Sequence, residues 1–377
     1  MPPARSATTR APAAGRSSSA RERTRLASAL ANAGNDVMLA IDAHDVELTT
    51  LDRIYWPAEP GLSQGPITKR DFLRYLIAVA PAMLPLMTDR PLTLFRWPEG
   101  LARRRVLMKH WEIRLPAFVE RTMIFSESKG HADEYIVCNN LATLVWLGHM
   151  GTLEFHVWHS RVRGGPDAAV TSTDAASSSA ALQRSIVNYP DYLLFDLDPF
   201  IYSGSEAPGR DPEPNAPAFA KAREVALTLK ALLDGMDLAS FVKTSGKTGL
   251  HVVVPIRRTL AYDAVRELAR SVGAHLVREH PHDVGMEWSV AKRRGKVFLD
   301  AHMNVRGKSM TVPYSPRGLP GAPVSMPLAW RDLARAEPMQ FRLTNAAARL
   351  QERGDPWRGM LADKQSLEQR LSAARGR

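Results

Sequence analysis

The segment YLLFDLDP, Tyr192 to Pro199, ends an apolar run with two aspartates spaced two residues apart. In a strand, side chains alternate, so Asp196 and Asp198 project to one face and Leu197 to the other. Adjacent carboxylates repel, and near a core they need a cation to neutralise them. Hard divalent ions with oxygen ligands meet that need. Asp300 closes a second apolar run, KVFLDA, and offers a third carboxylate. Three strand-end acids on neighbouring strands would make a two-metal clamp for in-line attack at a phosphate. A lone D-x-D is more often a solvated turn. The third acid tips the reading toward metal ligands.

The run KTSGKTGLHVVVP, Lys243 to Pro255, sets Gly246 and Gly249 around Ser245 and Lys247. The glycines permit a tight loop whose amides approach phosphate, and the hydroxyl and ammonium add to it. It is not a Walker A loop, because Phe241 stands where the first glycine would be and a strand follows. His251 opens that strand and reads as structural unless the loop beside it holds a ligand. In LEFHVWHS, alternation places Glu154, His156 and Trp158 on one face. His149, His156 and His159 have no Cys partner and no H-E-x-x-H spacing, which argues against zinc. Basic clusters stand at Arg103 to Arg105 with Lys109 and Arg114, and at Lys292 to Lys296 with Arg306, Lys308 and Arg317. Two such clusters suit phosphates held near the carboxylates.

The elements that must position these groups are legible in the pattern. Strands are expected over Tyr192 to Asp198, Phe241 to Thr244, His251 to Ile256 and Lys296 to Ala301. Helices are expected over Ala218 to Leu233 and Tyr262 to His280. The order β-α-β-β-α-β is that of a split βαβ, ferredoxin-like or RRM-like core in an α+β protein. A smaller N-terminal α/β part precedes it, with Thr68 and Asp71 capping one helix and Asn139 to His149 forming another, which Gly148 would end.

The chain has 377 residues and a net charge of +11, which favours a polyanionic partner. A single cysteine, Cys138, excludes an intramolecular disulfide framework. The longest apolar stretch, Tyr75 to Met87, contains Pro81 and Pro85 and is too short to cross a bilayer. No membrane role is expected, and the location reads as cytoplasmic. Six arginines against one acid, Glu22, mark residues 1–27, and 1–35 is read as a disordered basic arm. Such a start also suits an organellar transit peptide; a solvated tail is the plainer reading. Residues 164–188 read as a mobile loop, 203–217 as another connection, and 336–377 as a polar helical tail.

Seven ordered blocks resemble the polymerase domain of bacterial DNA ligase D, in the archaeo-eukaryotic primase superfamily. They are LTTLDRIYWP, ITKRDFLRY, LTLFRWPEG, LEFHVWHSR, FDLDP, TSGKTGLHVVVP and VFLDAHMNVRGKSMTVPYSPRGLPGAPVSMPL. The resemblance implies a primase-polymerase fold over 48–335 and template-directed nucleotide addition to a DNA 3′ end in non-homologous end joining. It implies Mn²⁺ or Mg²⁺ on Asp196, Asp198 and Asp300. It also implies nucleoside triphosphate contacts from His156, Ser245, Lys247, His251, Arg306 and Arg317. Arg53 and Lys69 match the basic pair that binds a downstream 5′-phosphate, with Arg53 where lysine is usual, and Lys109 matches a template contact. Partners implied are gapped or broken DNA, Ku and a separate ligase, at the bacterial nucleoid.

Three departures stand out. Val106 and Leu107 replace a usual aromatic pair, removing stacking of about 1–3 kcal/mol per base; Trp97 or Trp111 would be substitute platforms. Lys247 sits one residue early in the glycine loop. Met303-Asn304 stands where Arg-Asn is frequent. No K-x-D-G motif for a nucleotidyl-lysine is present, so ligase activity is not expected. The alternatives are a stand-alone primase-polymerase and a catalytically weak DNA-end-binding module that recruits a ligase.

Overall fold

The acid-bearing run Tyr192–Pro199 is a central strand of a six-stranded sheet. In order across that sheet run Val284–Gly285, Val297–Asp300, Tyr192–Pro199, Leu250–Pro255, Phe241–Thr244 and Pro327–Leu328. The four strands from Val297–Asp300 to Phe241–Thr244 pair antiparallel, and with the helices Ala216–Gly235 and Tyr262–Glu279 they form the expected split βαβ core. The computed structural model describes residues 19–111, 114–204, 206 and 212–370.

The strand register decides which side carries the acids. Leu197 pairs with Leu299, and a Cβ at Gly273 of the Tyr262–Glu279 helix would lie 3.0 Å from the Leu299 side chain. Leu197 and Leu299 therefore face the helix. By alternation, Asp196, Asp198, Phe298 and Asp300 face the opposite side. A second, antiparallel sheet supplies the rest of the cleft, in the order Ser309–Thr311, Thr152–Trp158, Leu92–Arg96 and Val106–Met108.

The helix Lys69–Met87 begins with the expected capping box: the Thr68 side chain accepts from the Asp71 amide, and the Asp71 carboxylate accepts from the Thr68 amide. Gly148 does not end its helix, which runs over Leu141–His149. Instead it lets two helices touch, because a Cβ there would come within 2.5 Å of Leu76 Cδ1.

Three organisational expectations are corrected. Within the basic arm, Ala20–Asn32 is a helix that buries Leu26 and Leu30. The i, i+4 leucine pair supplies the apolar face that composition concealed. Ser19 caps its start, and the Arg70 guanidinium donates to the Leu30 and Ala33 carbonyls at its end. The rest of the arm, residues 1–18, lies outside the described residues. The stretch 164–188 is packed, with Ala175, Leu182, Ile186 and Val187 buried against Ile124 and Trp158. Asp167 anchors its start through the buried Arg258, 2.9 Å away.

The tail is helical over Leu343–Arg353, but it belongs to the core. Trp357, Met360 and Leu367 are buried, and Trp357 Nε1 donates to the Val242 carbonyl. Lys364 ends between Asp167 and Asp191, at 2.6 and 3.1 Å. Its polar composition hid these widely spaced anchors.

Candidate active site

Asp196 and Asp300 are direct cross-strand partners, and Asp198 is two residues along the same face. Burial raises the Asp196 carboxyl to about 7, with Asp300 adding repulsion. Asp198 is pushed well up by burial and then by Asp196 and Asp300. These groups resist carrying their charges together. Asp300 is less committed to the cluster, since its Oδ1 accepts the His302 amide at 2.8 Å. Among the described residues, no three His, Cys, Asp or Glu side chains already converge as a metal cage. The donor chemistry nevertheless fits a hard divalent cation: crowded carboxylates share one face, and the buried Asp196 Oδ1 makes no hydrogen bond, with the His251 ring 3.3 Å away.

The glycine loop is built around Ser245. Its Oγ accepts the Lys247 and Gly249 amides at 3.1 Å each. Gly249 is required by crowding, because a Cβ would stand 2.3 Å from the Leu197 carbonyl oxygen and 2.8 Å from Asp198 Oδ1. Gly246 has φ +75°, and a Cβ there would meet the Arg317 side chain at 2.7 Å. The exposed Lys247 extends from this loop. His251 is buried beside the acids, its Nε2 3.3 Å from Asp196 Oδ1. Burial, Lys243 and Arg317 hold its imidazole neutral at ordinary pH.

Arg317 joins the two sheets. Its guanidinium donates to the Ser245 carbonyl and Thr311 Oγ1, and it lies 3.2 Å from Glu154. Glu154 also takes the Gly318 amide and stands 3.3 Å from His156. Burial would raise the Glu154 carboxyl, but Arg317 and then His156 hold it at about 2. His156 itself is lowered to about 4, chiefly by burial. The structure thus sets His251 against Asp196 and brings Lys247 and Arg317 within electrostatic reach of the acids, while Ser245 and His156 are linked to them through Arg317.

Arg306 is not gathered with them, because it donates instead to Asn188 and Glu127. Asn304 has a structural task, bonding both the amide and the carbonyl of Leu194. Sequence reasoning assigned no role to Glu154 or Lys243. The buried Lys243 donates to Ser325 Oγ at 2.6 Å and lies within electrostatic reach of Asp196. Its place at the head of the glycine-loop motif was the available signal.

A separate basic pocket forms where the Lys69 amide donates to the Arg53 carbonyl. The Lys69 ammonium is buried, donating to the Thr49 carbonyl and Thr50 Oγ1. Burial and then Arg53 lower it to about 8. His149 is lowered to about 4 by burial, then by Lys69 and Arg53, and its buried Nδ1 has no partner. Lys69 and Arg53 are two neighbouring cations with no ion-pair partner among the described residues, Asp36 acting on Lys69 only at longer range, and such a pair suits an anion.

Lys109 is exposed just beyond the edge strand Val106–Met108. Val106 and Leu107 are exposed on that strand, so they are not core residues. Trp97 and Trp111 are buried, and neither offers a free stacking face. Trp97 packs so tightly that a Cβ at Gly318 would meet its ring at 2.2 Å.

The description "LigD, primase-polymerase domain" names the family whose model matches residues 68–357. The chain belongs to this family. Its members are metal-dependent, DNA-directed nucleotidyltransferases of the archaeo-eukaryotic primase superfamily. The chain is 28% identical over 310 residues to the multifunctional non-homologous end joining protein LigD of Mycolicibacterium smegmatis, covering 82% of this chain and 35% of that protein. Against the Pseudomonas aeruginosa LigD it is 30% identical, covering 81% and 32% respectively. It therefore spans about a third of the length of these relatives. The solved polymerase domain of Mycobacterium tuberculosis Ligase D, in complex with DNA, superposes with a TM-score of 0.69 at 25% identity. That likeness covers 85% of this chain and 99% of the other.

Proposed function

We propose that this LigD primase-polymerase domain adds nucleotides to a DNA 3′ end at gaps and breaks bearing a 5′-phosphate, in non-homologous end joining. The observation that carries the reading is the placement of Asp196, Asp198 and Asp300 on one sheet face beside the glycine loop. Mn²⁺ or Mg²⁺ held there supplies charge neutralisation at the attacked phosphate. The chain's own groups do the rest. Arg317 and Lys247 attract the triphosphate, while neutral His156 and His251 offer uncharged hydrogen-bonding groups. Ku and a separate ligase are the expected protein partners. Among the described residues no helix is long and apolar enough to cross a membrane, and a cytoplasmic, nucleoid-associated role suits a DNA substrate.

The pocket of Arg53 and Lys69 takes the downstream 5′-phosphate in this reading. Lys69→Ala is expected to weaken binding to a 5′-phosphorylated gap by about 1.5–3 kcal/mol, with little change on a 5′-hydroxyl gap. Equal loss on both, measured by titration of labelled duplexes, contradicts a phosphate-specific role.

The acid pair also predicts a pH signature. Raised carboxyl values favour the fold while the groups are protonated, and that advantage is lost between the ordinary 3.8 and about 7 as pH rises. A bound cation restores it by offsetting the charges. The gain in melting temperature on adding Mn²⁺ is expected to be larger at pH 8 than at pH 5.5. An equal gain at both values contradicts cation binding by the raised carboxyls.

A further inference from the structure

Among the described residues, Trp288 is the most exposed large apolar side chain, at 63%. It lies between the strands Val284–Gly285 and Val297–Asp300, at the edge of the acid-bearing sheet. Its ring is held from behind. Phe298 meets it edge-on at 6.0 Å, His302 does so at 5.5 Å, and the Arg293 guanidinium lies 4.9 Å from its centroid. Arg293 is itself fixed over Phe298 and donates to the Glu287 carbonyl.

These contacts tie the indole to the acids. Phe298 pairs with Asp198 on the acid face, and the His302 amide donates to Asp300. The exposed surroundings are cationic. Val290, Lys292 and Arg294 are exposed within six residues of Trp288; Lys292 lies 3.6 Å from Glu287, and the Arg294 guanidinium lies 5.0 Å from the Tyr202 ring centroid. A single held ring with a lysine and arginine rim suits a nucleobase and its phosphates.

We propose that Trp288 is a stacking platform for an unpaired base of the DNA strand whose 3′ end enters the Asp196, Asp198 and Asp300 site. Lys292 and Arg294 lie where they attract that strand's phosphates. This rests on the DNA-extending reading above and adds to it a residue that would hold the entering strand.

The test is equilibrium binding of the full chain to a labelled 3′-tailed duplex and to a blunt duplex at one salt concentration. Trp288→Ala is expected to lose about 5- to 100-fold on the tailed substrate and to change less than about twofold on the blunt one. Trp288→Phe restores a ring and is expected to stay within about threefold of the parent on both. Melting temperatures confirm that both variants fold. The platform is overturned if Trp288→Ala binds the tail like the parent, if it loses equally on both substrates, or if Trp288→Phe is as weak as Trp288→Ala. Nucleotide addition by the parent to a gapped duplex is measured alongside. Its absence overturns the polymerase reading, whereas the tail dependence alone decides the platform.

Discussion

Asp198→Asn is expected to lower nucleotide addition by about 10³-fold or more while making the metal-free fold more stable. Loss of a metal-holding carboxylate removes several kcal/mol of transition-state stabilisation, and each 1.36 kcal/mol is tenfold in rate. DNA affinity should hold, because the proposed 5′-phosphate site at Arg53 and Lys69 is built from other elements. The stability gain follows from the crowding of Asp198 with Asp196 and Asp300, which raises its carboxyl well above the ordinary value. An asparagine keeps the shape and is neutral at every pH, so the cost of suppressing the Asp198 charge in the fold disappears. Single-turnover addition and urea unfolding of the same preparation check both halves. A variant that extends DNA at the parent rate removes Asp198 from the reaction.

The largest stability loss is expected at Asp191, just before the acid strand. Asp191 and Arg90 are both fully buried and 2.7 Å apart, with Arg161 and Lys364 also on Asp191. Burial pushes its carboxyl up, but Arg90, Lys364 and Arg161 together hold it at about 2. Asp191→Ala strands the Arg90 guanidinium without its counter-charge. Breaking a buried pair in this way costs about 3–5 kcal/mol. Denaturant unfolding should show this as a lower midpoint. A loss below about 1 kcal/mol, the range of an exposed pair, would mean that Arg90 finds another partner or water.

The half that carries the three aspartates was readable because its signals are local. Asp196 and Asp198 follow an apolar run, the glycine loop precedes a continuous valine strand, and the helices between show a 3.6-residue period. Residues tied by long-range contact were not readable. Lys364 completes a buried cluster with Asp167 and Asp191, far apart in sequence. Glu154 owes its importance to Arg317, which reaches it from another part of the chain. Composition also misled at the N-terminal arm, where Leu26 and Leu30 outweigh their polar surroundings by packing. Arg306 carried the right charge in the right cluster, yet the fold directs it to Glu127.

One sheet face bearing three aspartates is proposed to extend a DNA 3′ end. Primer extension on a one-nucleotide gap with a 5′-phosphate tests it, with Mn²⁺, Mg²⁺ or chelator and with ribo- or deoxyribonucleoside triphosphates. The expected result is templated addition of a nucleotide with at least one metal and none with chelator. Tight binding to the gap without addition under either metal would contradict it, leaving a DNA-end-binding module in place of an enzyme.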